Sequence, residues 1–205
     1  MAGYSARPIG RRQFIGLLMG GMLGGAISWP SAAIAATDGA KNYVARIADE
    51  VMALANSGQT GNGLRSKFLA LLKRYIDLRD VANYALGPYR NKLPAGKKNE
   101  FYRAFEIYVA GFFAFYVKDF RGSGLQVISS STQGKFIVIH SALKPSREQV
   151  RWRLTNAGSG FRVNDVNVKG AWVRIAMQGR ITRILKGSKG DFEALFEELR
   201  EADSW

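Results

Sequence analysis

Apolar residues recur at helical spacing through Tyr43, Ile47, Val51 and Leu54, and the pattern stops at Gly58 to Gly63. Leu64, Phe68, Leu71, Leu72 and Tyr75 mark a second helix. Asp77 to Leu86 reads as a third, ended by Gly87-Pro88. Pro94 opens a fourth that runs to about Lys118, with a weak first turn at Ala95-Gly96. The period then changes to two. Leu125 to Ser130 and Phe136 to Leu143 flank a turn at Gln133-Gly134. Val150-Arg151-Trp152-Arg153-Leu154 alternates apolar with charged residues, as a half-buried strand does. Asn156 to Gly160 is a turn, and Phe161 to Val168 is a fourth strand. Two more helices follow, about Ala171 to Leu185 and Asp191 to Glu201, separated by Gly187 and Gly190. Short connections imply antiparallel pairing. Helices segregated from such a sheet predict an α+β fold, with helices packed on a roughly four-stranded antiparallel sheet.

The N-terminal pattern is of another kind. Arg7, Arg11 and Arg12 precede an uncharged run from Gln13 to Thr37, and the first acidic residue is Asp38. The apolar part, Phe14 to Ile27, is short and rich in Gly, and Trp29-Pro30-Ser31 breaks it. Ala33-Ile34-Ala35 then supplies small residues where a signal peptidase reads them. A basic start, a short apolar core and an A-x-A end predict a secretory signal over residues 1–35. An uncleaved anchor is the alternative, but it needs about 20 strongly apolar residues. Arg11-Arg12-Gln13-Phe14 also fits the twin-arginine export route, with a chance Arg pair as the plainer reading. Residues 36–205 are then one exported domain, with no internal repeat and no long linker. The chain has no Cys, which removes both disulfides and the acylated anchor of a bacterial lipoprotein.

Charge and chemistry narrow the function further. Behind the predicted cleavage point lie 27 basic and 16 acidic residues, a mature charge of +11. Such a domain favours nucleic acid, anionic lipid or an acidic protein partner, or is simply kept soluble by its charge. Export argues against nucleic acid. Catalytic constellations are missing: the chain has one histidine, His140, and no G-x-S-x-G elbow, P-loop or H-E-x-x-H. No clustered Cys, His or carboxylates predict a metal site. The reading is therefore a protein that is not an enzyme and needs no cofactor.

The fourth helix is the informative segment. Phe101, Tyr102, Phe105, Tyr108, Phe112, Phe113, Phe115, Tyr116 and Phe120 place aromatics on more than one face. Such a helix is either a core helix packed on both sides or one that packs on the sheet and lines an apolar pocket. Only 11 uncharged residues separate Glu106 from Lys118, too few to span a bilayer. The pocket expected from this pattern, of the long apolar kind that acyl chains need, joins Tyr108, Phe112, Phe115 and Tyr116 to Ile139, Val150, Trp152, Leu154 and Val163 of the sheet. Alternation supports the strand part: Val150, Trp152 and Leu154 share one face, and Arg151 and Arg153 the other.

Several segments, in order, resemble the MlaC or toluene-tolerance family of periplasmic phospholipid-binding proteins. They are Phe68, Tyr75-Ile76-Asp77, Val81-Ala82, Leu86-Gly87-Pro88-Tyr89, the aromatic helix with Phe101, Phe105 and Tyr116, Leu125-Gln126-Val127, and Val150 to Leu154. Phe161 to Gly170 resembles the family's W-x-V-x-D-V-x-V-E-G strand, with Phe161 for the Trp. Lys169-Gly170-Ala171-Trp172 departs from the usual Glu-Gly-Val-Ser, so no role is carried over to that turn. The resemblance implies a soluble periplasmic carrier that buries phospholipid acyl chains between sheet and helices. It also implies shuttling of lipid between inner and outer membranes within an ABC-type transport system that maintains outer-membrane asymmetry. The implied partners are phospholipid, an inner-membrane ABC transporter with an MCE-domain subunit and an outer-membrane lipoprotein complex. A carrier of hopanoid or another lipid, and an exported basic interaction protein without a lipid ligand, are the alternatives. An enzyme on a related cone-shaped fold is disfavoured by the missing catalytic groups.

Replacing Arg11 and Arg12 together by Lys is expected to block twin-arginine export and leave the mature fold intact. Cell fractionation measures this, and an unchanged exported yield assigns the general secretory route. N-terminal sequencing of exported material checks cleavage after Ala35. Retention of Gly10 to Phe14 rules that cleavage out.

Overall fold

The computed structural model describes residues 31–158 and 160–204. Apart from Ser31, they all lie within the unit Ala32–Trp205. The arginine pair and apolar run of the predicted signal lie outside the described residues.

The first helix, α1 (Ser31–Asn56), runs across the predicted cleavage point. Ala40, Val44, Ile47, Ala48 and Ala55 form its buried stripe, at the three- and four-residue spacing of one helical face. Its end is held by Asn56, whose Oδ1 accepts the Gly122 N–H at 2.7 Å. The second, α2 (Gly61–Tyr75), buries Leu64, Phe68, Leu71, Leu72 and Tyr75. Ile76 leaves it in extended backbone and bridges in parallel to Val163. The next residue, Asp77, caps α3 (Leu78–Ala85) by accepting the Asp80 N–H at 3.0 Å. The fourth helix starts later than Pro94 predicts. Ala95–Lys97 is a 3-10 turn, and α4 spans Lys98–Tyr116 without a side-chain cap. Two C-terminal helices, α5 (Val173–Gly187) and α6 (Phe192–Arg200), complete the helical part.

The sheet is an antiparallel meander in chain order: β1 (Gly124–Gln133), β2 (Phe136–Lys144), β3 (Gln149–Ala157), β4 (Gly160–Val168) and β5 (Ala171–Trp172). The first four match the predicted strands with longer ends. The fifth adds two residues that pair with Asn167 and Val168 and escape a period-two reading for want of length. Opposite Arg153, β4 carries a bulge, so the register slips between Arg153 and Leu154. Ser141 is buried within the apolar sheet because its hydroxyl is fully used. It accepts from Trp152 Nε1 at 3.0 Å and donates to the Val150 carbonyl at 2.8 Å.

Two apolar clusters result. One joins Ile137, Ile139, Leu143, Val150, Trp152, Leu154 and Val163 of the sheet to Ala40, Val44 and Ile47 of α1 and Leu71 and Tyr75 of α2. The other is helical: Phe101, Phe105 and Tyr108 of α4 pack with Leu64, Phe68 and Leu72 of α2, Met177, Ile181 and Leu185 of α5 and Leu195, Phe196 and Leu199 of α6. Of the two readings of α4, the buried clusters show packing among other helices. The sheet's apolar cluster takes its helical residues from α1 and α2 and none from α4. Those two helices already cover that face, and the buried aromatics of α4 pack among other helices.

At Gly111, α4 comes close to the C-terminal turn at Ala202. A Cβ there would sit 2.2 Å from the Ala202 carbonyl oxygen. Gly111→Ala is therefore expected to push the C-terminal turn away and cost about 1–3 kcal/mol. Chemical denaturation measures the loss.

Candidate functional site

A cavity of about 530 Å³ opens where α2, α3, β3 and β4 meet. Its walls follow from the local chain path. The extended residue Ile76 carries the chain from α2 to α3 along the edge of β4, through the bridge to Val163. Ile76, Leu78, Val81 and Val163 supply apolar wall. Lys73, Asp77, Arg79, Asp80, Glu106, Arg162 and Arg174 supply the charges. A narrow apolar crevice of about 40 Å³ adjoins it. The two share Ile76, Leu78, Val81, Asn164 and Arg174, and the crevice adds Leu72, Val109, Phe113, Val173 and Met177 among others.

Arg174 is the joint of this site. Its Nη1 donates to Asp80 Oδ2 at 2.9 Å and to the Asn164 carbonyl at 3.4 Å. Its guanidinium lies 4.5 Å from the centroid of the Tyr84 ring. The same residue's backbone N–H donates to Asp165 Oδ1 at 3.1 Å, and Val166 N–H donates to that oxygen at 2.9 Å. Helix α5 has no side-chain cap from Trp172, the residue before it. Asp165 supplies the cap from β4 instead, a carboxylate at the positive end of the helix. Burial pushes the Asp165 carboxyl above the ordinary carboxylate value. The two backbone N–H groups, then Arg153 and Arg174, oppose that rise by favouring the charged form. A second ion pair, Lys73 to Glu106 at 2.7 Å, joins α2 to α4 at the cavity.

The nine residues predicted to line one pocket divide between the two clusters and the surface. Ile139, Val150, Trp152, Leu154 and Val163 do come together, against α1 and α2. Tyr108 is buried and Phe112 half-buried in the helical cluster. Phe115 and Tyr116 are exposed at 44% and 43%. Of the nine, Val163 lines the cavity and none lines the crevice. Phe113, on the same helix, lines the crevice and stacks on Phe68 with centroids 5.0 Å apart. The sequence singled out none of Ile76, Asp77, Arg79, Arg162 and Arg174 as a lining residue. The signal for the first two, and for the neighbouring Val163, lay in the quoted segments Tyr75-Ile76-Asp77 and Phe161 to Gly170, which meet at this cavity.

As chemistry, the site offers paired charges over an apolar lining. Among the described residues no group of three or more His, Cys, Asp or Glu could hold a metal. His140 lies 3.2 Å from Ser131 on the neighbouring strand, apart from the cavity residues. Among the described residues no helix is long and apolar enough to cross a membrane.

Fold and site together define an α+β protein built around a cavity with a charged mouth and an apolar crevice. Residues 45–201 match the model of the family described as MlaC protein, and the chain belongs to that family. It also shares its fold with the phospholipid-binding protein from Ralstonia solanacearum, solved in complex with a phospholipid. The TM-score is 0.63 at 16% identity, over 82% of this chain and 98% of the other. No curated protein matches the chain.

The Asp165 cap generates a pH prediction. A carboxyl whose folded pKa is raised adds stability below its unfolded pKa, about 3.9. That contribution is lost as pH rises through the folded value. Asp165→Asn keeps an acceptor for the Arg174 N–H but does not titrate. The stability of wild type minus that of Asp165→Asn is therefore expected to fall as pH rises from about 4. Denaturant titrations at several pH values measure it. Asp165→Ala loses the cap and is expected to cost about 1–2 kcal/mol.

Proposed function

We propose that this protein is a soluble periplasmic carrier of phospholipid, moving lipid between the inner and outer membranes. The observation that carries the reading is the cavity of about 530 Å³ with its adjoining apolar crevice, in a chain of the MlaC family. That volume lies within the span of about 300–1,000 Å³ usual for small-molecule sites. The lipid-complexed structure of the Ralstonia protein, which shares the fold, supports phospholipid as the ligand.

The physics suits a carrier. Each methylene buried from water is worth about 0.8 kcal/mol, so two chains with about 30 methylenes gain about 24 kcal/mol gross. A bilayer gives the same gain, so transfer between membrane and protein is near balance. The lipid stays bound in water, and direction comes from partners that consume energy. An inner-membrane ABC transporter with an MCE-domain subunit and an outer-membrane lipoprotein complex are the partners this reading assigns, in a system that maintains outer-membrane asymmetry. The crevice, at about 40 Å³, has less than a tenth of the volume of the adjoining cavity. Acyl chains therefore enter by parting its walls. Met177 and Phe113 line it, and Met adapts readily to a changed shape.

Native mass spectrometry of the purified protein, after incubation with phospholipid vesicles, tests the reading. Co-purifying phospholipid is expected at about one molecule per chain, and its absence overturns the proposal. Val81 lines both the cavity and the crevice. Val81→Glu puts a carboxylate where chains must pass and is expected to cut occupancy severalfold. Circular dichroism checks that the variant is folded.

A further inference from the structure

The sheet has a second face. On β3, Val150, Trp152 and Leu154 turn toward α1 and α2, so Arg151 and Arg153 turn away from them. Register sets Val138 and Asp165 beside Arg153, and His140 and Asn167 beside Arg151. Trp172 of β5 pairs with Asn167. The Arg153 guanidinium lies 4.0 Å from the Trp172 ring centroid and 5.0 Å from that of Phe136. Arg151 lies 5.6 Å from the same Trp172 ring, and the Lys135 ammonium 5.4 Å from Phe136. Cations and rings thus alternate in a stripe of Lys135, Phe136, Arg153, Trp172 and Arg151. None of the five lines the cavity or the crevice.

The stripe is rich in donors and short of acceptors. Lys135, Arg151 and Arg153 form no ion pair among the described residues. The buried Nε of Arg153 has no hydrogen-bond partner, nor has Nδ2 of Asn167, a residue 2% exposed. Asn167 Oδ1 accepts from Arg151 Nη2 at 3.3 Å. The carboxylate nearest in register, Asp165, is buried and already accepts the N–H groups of Val166 and Arg174.

We propose that this stripe docks a protein partner through an acidic segment of that partner. A guanidinium binds a carboxylate through two parallel hydrogen bonds, and stacking on a ring holds it ready to do so. Clustered arginines are a recurrent way to recognise acidic motifs. Arg151 and Arg153 are two residues apart on one strand, about 7 Å, which is also the spacing of alternate side chains in an extended segment. Asp or Glu at alternate positions of such a segment therefore meets both guanidiniums. A membrane surface is the poorer fit. It needs apolar side chains that reach about 5–10 Å into the headgroup boundary. Phe136 and Trp172 are half-buried, and both rings are covered by Arg153.

Fluorescence anisotropy with a labelled peptide of alternating Glu and Thr is the test. Wild type is expected to bind the peptide, more weakly as salt rises, and not to bind one of alternating Lys and Thr. Arg151→Gln and Arg153→Gln are each expected to weaken binding about two- to fivefold. Arg103→Gln combined with Arg183→Gln removes two exposed cations from α4 and α5 and is expected to leave binding close to wild type. Circular dichroism checks folding. Lys135 lies exposed in the turn before β2, so Lys135→Gln leaves the sheet intact and is expected to weaken binding about twofold. No binding of the acidic peptide by wild type overturns the proposal. So does equal weakening by the control pair and by the stripe variants, which would make net charge the cause. Vesicles of phosphatidylglycerol are expected to bind the double variant Arg151→Gln, Arg153→Gln as they bind wild type. Vesicle binding that the double variant abolishes would make the stripe a membrane surface and overturn the assignment to a protein.

Discussion

The fold depends on α2 being buried on two sides. Leu71 and Tyr75 face the sheet with α1, while Leu64, Phe68 and Leu72 face α4 and the helical cluster. One helix of 15 residues is thus the common wall of two apolar clusters. A helix with a single stripe would leave one cluster open to water. Where α2 ends, the chain stays against both clusters, since Ile76 packs on each. It runs on as Ile76 along β4, and that extended residue forms the cavity wall. The site is therefore a consequence of how the two layers are joined.

The second joint lies between β4 and α5. Asp165 caps α5 through the Arg174 backbone, and the Arg174 side chain reaches across to Asp80 of α3. Burying a carboxylate costs free energy, which here is only partly offset by two backbone N–H donors and nearby guanidiniums. The arrangement ties sheet, α3 and α5 around the cavity without filling it. On the proposed carrier reading, such ties keep these elements together while acyl chains part the crevice. The polar joint can hold while the apolar contacts of Phe113 and Met177 rearrange, since dispersion contacts are non-directional and hydrogen bonds are not.

Charge at the mouth and apolar area in the crevice divide the work of recognition. Apolar burial is large and nearly equal in membrane and protein, so it holds the lipid without favouring either. On the proposed carrier reading, only small terms, such as those of the exposed charges lining the cavity, are then left to discriminate between lipids. A carrier that exchanges with membranes works best when its large term cancels and its small terms discriminate.

Much of this was legible in the sequence. Helical spacing in Leu64 to Tyr75 and alternation in Val150 to Leu154 report local burial, because a side chain's direction follows from backbone period alone. The order of helices, strands and helices therefore set the α+β class, and the ordered segments set the family resemblance. Which apolar faces meet was not legible. The aromatics of α4 could have packed on the sheet or on helices, since apolar attraction is non-directional and any partner of suitable shape satisfies it. Only the tertiary structure decided that α1 and α2 take the sheet, that Phe113 rather than Phe112 lines the crevice, and that Phe115 and Tyr116 lie exposed. The same holds for the charged mouth. Asp77 and Arg79 on one side and Arg162 on the other are about 80 residues apart in the chain. Sequence determined their charge, and the bridge between Ile76 and Val163 determined that they share a cavity, because long-range proximity is a property of packing.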